Sequence, residues 1–437
     1  MRGRISNVLS EELRFGGLDL PCSEAGIGEP FGSLNGSLNV DFVQPWFLGP
    51  RNAFGAGLGV ERRSVPGVFV RDTRGGYVSF THQLAARTSA SIAYRPALTS
   101  FVEGTGEDPF FCVSFLACDE ASVRLLREPN WLAPLAFSLV HDASNSIFAP
   151  TRGYVFRFDA ELASRWSGSA FQYARLTGET AWYRETAGGV VVAAHARPGW
   201  AAALGEGAGE DDLGLHPQRR FFAGGPNSVR GFAQGRLGPK ILAVNGTSLA
   251  RLEDEGGPGC LAFDINEETC DASSADAGLF DPRPTGGNVL LEGNLELRFP
   301  LVGPLRGVAF VDAGQVWNDR LDLGDLAWTP GFGLRYFSPI GPIRIDFGYN
   351  PTGAERLPVR ATAVEVCFDE GTDPDGDRIL IPLAPCVAPD PGVYYPPDRL
   401  GNTNELVDLA AIDWDPRGRW TNLLDRVQIH FSIGQAF

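Results

Sequence analysis

Phe221-Phe222-Ala223-Gly224-Gly225-Pro226-Asn227-Ser228-Val229-Arg230-Gly231-Phe232 sits inside a segment, 204–286, that is far too long for a simple connector. The stretch carries one guanidinium, Arg230, on a turn flanked by glycines, and it runs on to Gly238-Pro239-Lys240. A guanidinium is charged at every physiological pH and presents five donors in a fixed fork. On a surface turn, water satisfies it. In an enclosed place carboxylates must, because an unpaired buried charge is very costly.

Composition points to strands rather than helices. A chain of 437 residues allows two soluble domains or one large barrel. With 54 Gly, 32 Pro, 29 Phe and 9 Trp against 1 Met, it fits many strands broken by turns. No run approaches the roughly 18 apolar residues of a spanning helix. A β-barrel needs no such run, because it hides its membrane face in every second residue.

That alternation is present. In 341–350 the residues Ile343, Ile345, Phe347 and Tyr349 share one side, and Arg344, Asp346, Gly348 and Asn350 the other. In 329–337 the apolar set is Phe332, Leu334 and Tyr336, opposite Gly331, Gly333 and Arg335. In 289–299 it is Val289, Leu291, Leu295, Leu297 and Phe299 against Glu292, Asn294, Glu296 and Arg298. In 154–162, Tyr154, Phe156, Phe158 and Leu162 oppose Arg157, Asp159 and Glu161. A soluble sandwich also alternates. Here the second face is charged and glycine-rich strand after strand, as a wet lumen requires.

Strands are predicted near 37–47, 52–63, 75–86, 88–97, 131–142, 151–163, 171–184, 189–203, 287–300, 305–317, 328–338, 341–350 and 427–436. Short connectors alternate strictly with long ones, which places 98–130, 204–286 and 351–426 outside the cell and the short turns in the periplasm. Each long loop holds a pair of cysteines, Cys112 and Cys118, Cys260 and Cys270, Cys367 and Cys386, with Cys22 left over. Three disulfides, each within its own loop, are expected in the oxidising periplasm. With no Cys-x-x-Cys and 5 scattered histidines, no zinc site is expected.

The net charge of −16 gathers in the same loops, at 206–212, 253–255 and 369–377, which argues against nucleic-acid binding. Asp369–Asp377 has carboxylates at alternate positions around a glycine, as a calcium loop does, but lacks the closing glutamate, so a solvated acidic loop is the better reading and no metal is expected. No nucleophile elbow, phosphate loop or metalloprotease helix occurs, so the chain is expected not to be an enzyme and to need no cofactor.

Val229-Arg230-Gly231-Phe232 resembles the loop signature of the BamA/TamA-type outer-membrane assembly and translocation family. Glu296, in Asn294–Pro300, and Asp312, in Phe310–Trp317, sit where that family carries lumen-facing acidic partners, so the resemblance implies that they anchor Arg230. Phe431–Phe437 is similar to the family's last strand, with Gly434 where that strand can kink as a gate and Phe437 as the terminal aromatic residue of an assembly signal; Phe431 belongs to the same alternating set. The resemblance covers roughly 37–437. It implies an all-β fold, a transmembrane antiparallel β-barrel of the bacterial outer membrane with 204–286 inserted in the lumen. The full family barrel has 16 strands, of which about 13–14 are visible here, the fourteenth within Ile5–Leu20.

Residues 1–36 depart from the family pattern and are read as an N-terminal remnant, part of an early strand and loop. They show neither the apolar core of a signal peptide nor room for a periplasmic POTRA domain, so the chain is expected to be the C-terminal part of a longer product. The implied function is insertion and folding of β-barrel proteins, or protein translocation across the outer membrane, by opening the seam between first and last strands to a client strand. The implied partners are outer-membrane lipid and lipopolysaccharide, unfolded barrel clients, and periplasmic accessory proteins reached through the missing POTRA domains. A two-partner-secretion translocator, a passive porin-like channel and a purely structural surface antigen are the alternatives.

Overall fold

The computed structural model describes residues 2–6, 35–65, 69–102, 112–113, 116, 128–147, 149–204, 215–251, 256–318, 320–338, 341–365, 368–372, 378–382, 401–415 and 426–433. In chain order the strands are β1 (Arg2–Ser6), β2 (Asn35–Pro45), β3 (Asn52–Val65), β4 (Phe69–Ala85), β5 (Thr88–Tyr94), β6 (Ala97–Val102), β7 (Asn130–Leu132), β8 (Leu135–Asp142), β9 (Gly153–Ala163), β10 (Tyr173–Glu185) and β11 (Val191–Ala203). They continue as β12 (Lys240–Val244), β13 (Asp281–Pro284), β14 (Val289–Pro300), β15 (Leu305–Trp317), β16 (Ala327–Ser338), β17 (Gly341–Tyr349), β18 (Glu355–Glu365), β19 (Phe368–Thr372), β20 (Arg378–Pro382), β21 (Gly401–Trp414) and β22 (Val427–Ile433).

One 16-stranded sheet follows the order β1-β2-β3-β4-β5-β8-β9-β10-β11-β14-β15-β16-β17-β22, with β6 beside β4 and β7 beside β6 continuing the lines of β5 and β8. Neighbours along the path are antiparallel, as in an up-and-down barrel. β1 and β22 are its two edges, and among the described residues no pairing joins them. Two strands expected as single runs, 88–97 and 131–142, are each divided, at Pro96 and at Pro134. Proline has no N–H for the ladder and breaks the strand there. The sheet continues across the gap through the proline carbonyls, which accept from Gly76 and Arg95 at 3.0 and 3.1 Å. The additional strand β1 starts at Arg2, ahead of the segment expected to hold it.

Side-chain exposure follows the period of two. Along β14, Glu292, Asn294, Glu296 and Arg298 are buried, while Leu295 and Leu297 are 55% and 45% exposed. Leu58, Phe332, Ile429 and Phe431 are also outward and exposed. A band of this kind, repeated on every wall of the sheet, would not stay monomeric in water and is the face a bilayer covers. No described helix is long and apolar enough to cross a membrane. The fold is a transmembrane antiparallel β-barrel.

The long loops hold structure that alternation did not foretell. β13-β12-β18-β21 form a second, four-stranded sheet, in which β12 runs parallel to β18 with Leu242 opposite Val359. Leu242, Val244, Leu249, Ile265, Val359, Ala361, Leu409 and Trp414 build its core, covered by the short helices Gly246–Leu249 and Ala262–Asn266. The segment 204–286, expected as a lumen-inserted loop, contains two parts of different structure. Residues 215–239 carry the turn that meets the barrel's inner face, and the described residues of 240–284 join 355–365 and 401–414 in a cap built on the second sheet. Leu242 and Val244 are buried with Val359 and Ala361 of β18 in the core of this second sheet.

Cys260 and Cys270 are bonded across 5.7 Å between Cα atoms, inside the cap. Cys112 is also disulfide-bonded, and Cys118 lies outside the described residues, as do Cys22, Cys367 and Cys386. Of the acidic run, 369–372 lie on β19 and 373–377 lie outside the described residues. The Cys260–Cys270 bond closes a short loop worth about 3 kcal/mol in the chain-entropy account. Cys260→Ser with Cys270→Ser should expose 251–275 to protease while leaving the barrel's heat-modifiable gel mobility intact. Unchanged digestion would show that the bond does not hold the cap.

Candidate functional site

Local sequence shapes the lumen turn. Gly224 and Gly225 adopt φ of 98° and 106°, a region closed to most side chains. The Gly225 N–H donates to the Phe232 carbonyl at 3.0 Å, and Gly224 N–H donates to the Ser228 hydroxyl at 2.8 Å, so the tip folds on itself. A Cβ on Gly231 would collide with the Thr329 side chain on β16, which is why the tip can press against the wall there. Val229 and Phe232 are buried with Phe221, Leu290 and Val316 in one apolar cluster under the tip.

Arg230 is 1% exposed. Its Nε and Nη2 donate to the two oxygens of Asp312 on β15 at 2.8 and 2.7 Å, and its backbone N–H donates to the same carboxylate at 3.0 Å. Nη1 donates to Glu296 Oε1 on β14 at 2.7 Å. The guanidinium lies over the Phe310 ring, 3.4 Å from its centre. Burial opposes the charge, but hydrogen bonding to Asp312 and the fields of Glu296, Asp312 and Asp346 outweigh it and hold the Arg230 pKa above that of an ordinary guanidinium.

The two carboxylates expected beside Arg230 are thus both brought to it. Around them stands a larger network whose members were visible only as polar-face residues. Glu296 also accepts from Arg298 at 2.8 Å and from Arg335 on β16 at 2.7 Å. Asp346 on β17 lies 3.7 Å from Arg230 and 3.8 Å from Arg344. Arg344 donates to the Pro226 carbonyl at 2.8 Å, and Asn294 to the Ser228 carbonyl at 2.9 Å. Ser228 also bonds Glu292. His430 Nε2 lies 2.9 Å from the Arg230 carbonyl, so the turn reaches β22 as well. Its neighbour Phe431 points outward, 67% exposed, and Gly434 and Phe437 lie outside the described residues.

A sheet with an apolar outer band, a charged inner face and a loop clamped against it defines an outer-membrane β-barrel braced from within. The model of the Omp85 superfamily domain matches residues 23–437, and the chain belongs to that superfamily. The match takes in 23–36, ahead of the boundary expected at residue 37.

Among curated relatives, the chain is 22% identical over 251 residues to the outer membrane protein assembly factor BamA of Neisseria meningitidis serogroup B, covering 50% of this chain and 26% of that protein. It is 24% identical over 157 residues to the chloroplastic outer envelope protein 80 of Arabidopsis thaliana, covering 32% of this chain and 14% of that one. The chain thus spans about a quarter or less of these relatives. The crystal structure of BamA from Haemophilus ducreyi lacking POTRA domains 1–3 shares the fold at a TM-score of 0.52 and 19% identity, over 74% of this chain and 61% of that one.

Removing the Arg230 guanidinium leaves Glu296, Asp312 and Asp346 facing one another, a loss of about 3–5 kcal/mol for a buried pair. Arg230→Ala should make 215–239 protease-sensitive without unfolding the barrel. Arg230→Lys should recover only part of the protection, since a point charge cannot span both partners. If Glu296→Gln with Asp312→Asn leaves the loop as protected as in the parent, the clamp does not depend on these charges.

Proposed function

We propose that this chain inserts and folds β-barrel proteins in the outer membrane. The reading rests on one observation above others: the lumen turn holds the edge strand from inside, through His430 and the Arg230 carbonyl at 2.9 Å and through Arg344, which neighbours β22 in the sheet, and the Pro226 carbonyl. An unpaired strand edge is a template for another strand, and most proteins suppress it. Among the described residues β22 pairs on one side only, with β17, so a client strand can add to it by β-augmentation and leave as a new barrel. The step is an exchange of main-chain hydrogen bonds and needs neither nucleotide nor catalytic residue.

The assembly-factor relative supports this reading by its name, and the fold likeness supplies the scaffold. In the same reading the long loops meet lipopolysaccharide, whose phosphates would need divalent cations to approach the acidic segments. Accessory periplasmic proteins engage domains that precede the barrel in longer relatives.

Proteoliposomes containing the chain should speed folding of a urea-denatured small outer-membrane barrel severalfold over empty liposomes, read by heat-modifiable gel mobility. His430→Ala, which removes the inner tie to β22 but leaves the Arg230 carboxylates in place, should lower that rate. Equal rates with and without the chain would overturn the assembly reading, and a large steady single-channel conductance in the same vesicles would mark a passive channel.

A further inference from the structure

A cleft of about 800 Å³ lies where the cap meets the mouth of the barrel, a size in the range of small-molecule sites. Its wall comes from the end of β15 with the connection to β16, from the stretch 237–239 that leads into β12, and from the start of β18. Arg320 and Arg356 line it and make no hydrogen bond or ion pair among the described residues. Asp322, Asp325 and Glu355 line it too. Glu355 pairs with Lys240 at 2.7 Å, and Asp322 spends one oxygen on the Gly324 N–H at 2.8 Å. Trp317 stands in the same wall, 8% exposed, with its indole N–H unpartnered. Buried donors are almost always bonded, so one that is not asks for an acceptor.

The mixture of groups narrows the ligand. Three carboxylates disfavour an anion, and two free guanidiniums disfavour a cation. The described residues hold no cluster of metal-binding side chains. An extended peptide would need a free strand edge, and the upper end of β15 is one, because its pairing with β16 stops at Gly314 opposite Ala327. Gln315 closes that edge. Its Oε1 accepts the Val316 N–H at 2.9 Å, and its Nε2 donates to the Asp325 carbonyl at 3.1 Å. What remains is a neutral ligand rich in hydroxyls, each able to donate to a carboxylate and to accept from a guanidinium or an indole N–H. Trp328 and Pro351 add apolar faces for its C–H surface. Trp328 is 57% exposed beside the buried Thr329, near the end of β16 away from the short turns, so the cleft opens at the rim where lipid head groups lie.

We propose that this cleft binds a short neutral saccharide, with Arg320, Arg356 and Asp325 taking its hydroxyls and Trp328 its apolar face. The sugar's source as the glycolipid of the outer leaflet rests on the reading that the long connections face outward and meet lipopolysaccharide. The site itself stands on the cleft and its paired donors and acceptors.

The test titrates the whole chain, in a detergent without a sugar head group, by calorimetry. The probes are the dephosphorylated core oligosaccharide of a rough-type lipopolysaccharide and, as a free sugar, maltotriose. The core oligosaccharide should bind saturably, and roughly tenfold more weakly to Arg356→Gln and to Asp325→Asn, as loss of one charged hydrogen bond implies. Heat-modifiable mobility of both variants shows that the barrel is intact. No saturable binding of either sugar, affinity unchanged in both variants, or displacement of the oligosaccharide by inorganic phosphate would each overturn the proposal. Tighter binding of maltotriose than of the core oligosaccharide would keep the saccharide site and overturn the glycolipid as its source. Binding in detergent with no staining of intact expressing cells by the fluorescent oligosaccharide would sink the outward placement alone.

Discussion

A single guanidinium in the middle of a barrel constrains everything near it. Arg230 cannot sit there bare, and its partners come from separate strands, Asp312 on β15, Glu296 on β14 and Asp346 on β17. The loop is therefore placed by the wall, and the wall's register is read back by the loop. A slip of one residue in β14 would turn Glu296 to the lipid and Leu295 or Leu297 to the arginine. Such a network is weak evidence for net stability, since apolar replacements can do as well. Its value lies in having one arrangement only.

The outer face obeys a different solvent. Leu295, Phe332 and Phe431 would be liabilities in water, yet in hydrocarbon they cost nothing, and the strands between β1 and β22 on the sheet path are paired on both sides. The chain thus places its charges inside and its apolar residues outside, the reverse of a soluble domain. Its inner charges are affordable because they meet one another and the turn residues Pro226, Ser228 and Arg230 rather than water alone.

How much of this could be read in advance follows from which interactions are local in sequence. The strands were legible because a period of two is a property of ten neighbouring residues: 305–317 was placed end to end, and 341–350 within one residue of β17. Arg230, Glu296 and Asp312 were legible through the form of the turn and the family resemblance. Asp346 and Arg335 were seen on the polar face but could not be told from other lumen residues, because which of them meets the turn depends on barrel curvature. The divided strands at Pro96 and Pro134 were missed although proline gave the signal. The cap escaped for another reason. β12 is five residues long, and its apolar face is completed by β18, a strand far along the chain and parallel to it.

That pairing orders events during folding. Gly246 and Thr362, joined by a hydrogen bond in the cap, are 116 residues apart, and β21, the cap's other edge, comes later still. Closing so long a loop is slow when little local structure rewards it, and the cost falls once the intervening strands have shortened the path. The intervening strands are β14 to β17, the ones that supply the arginine's carboxylates. Loop-closure entropy therefore favours seating the turn before the two distant segments meet. The fold is in this respect a vessel stoppered after it is filled.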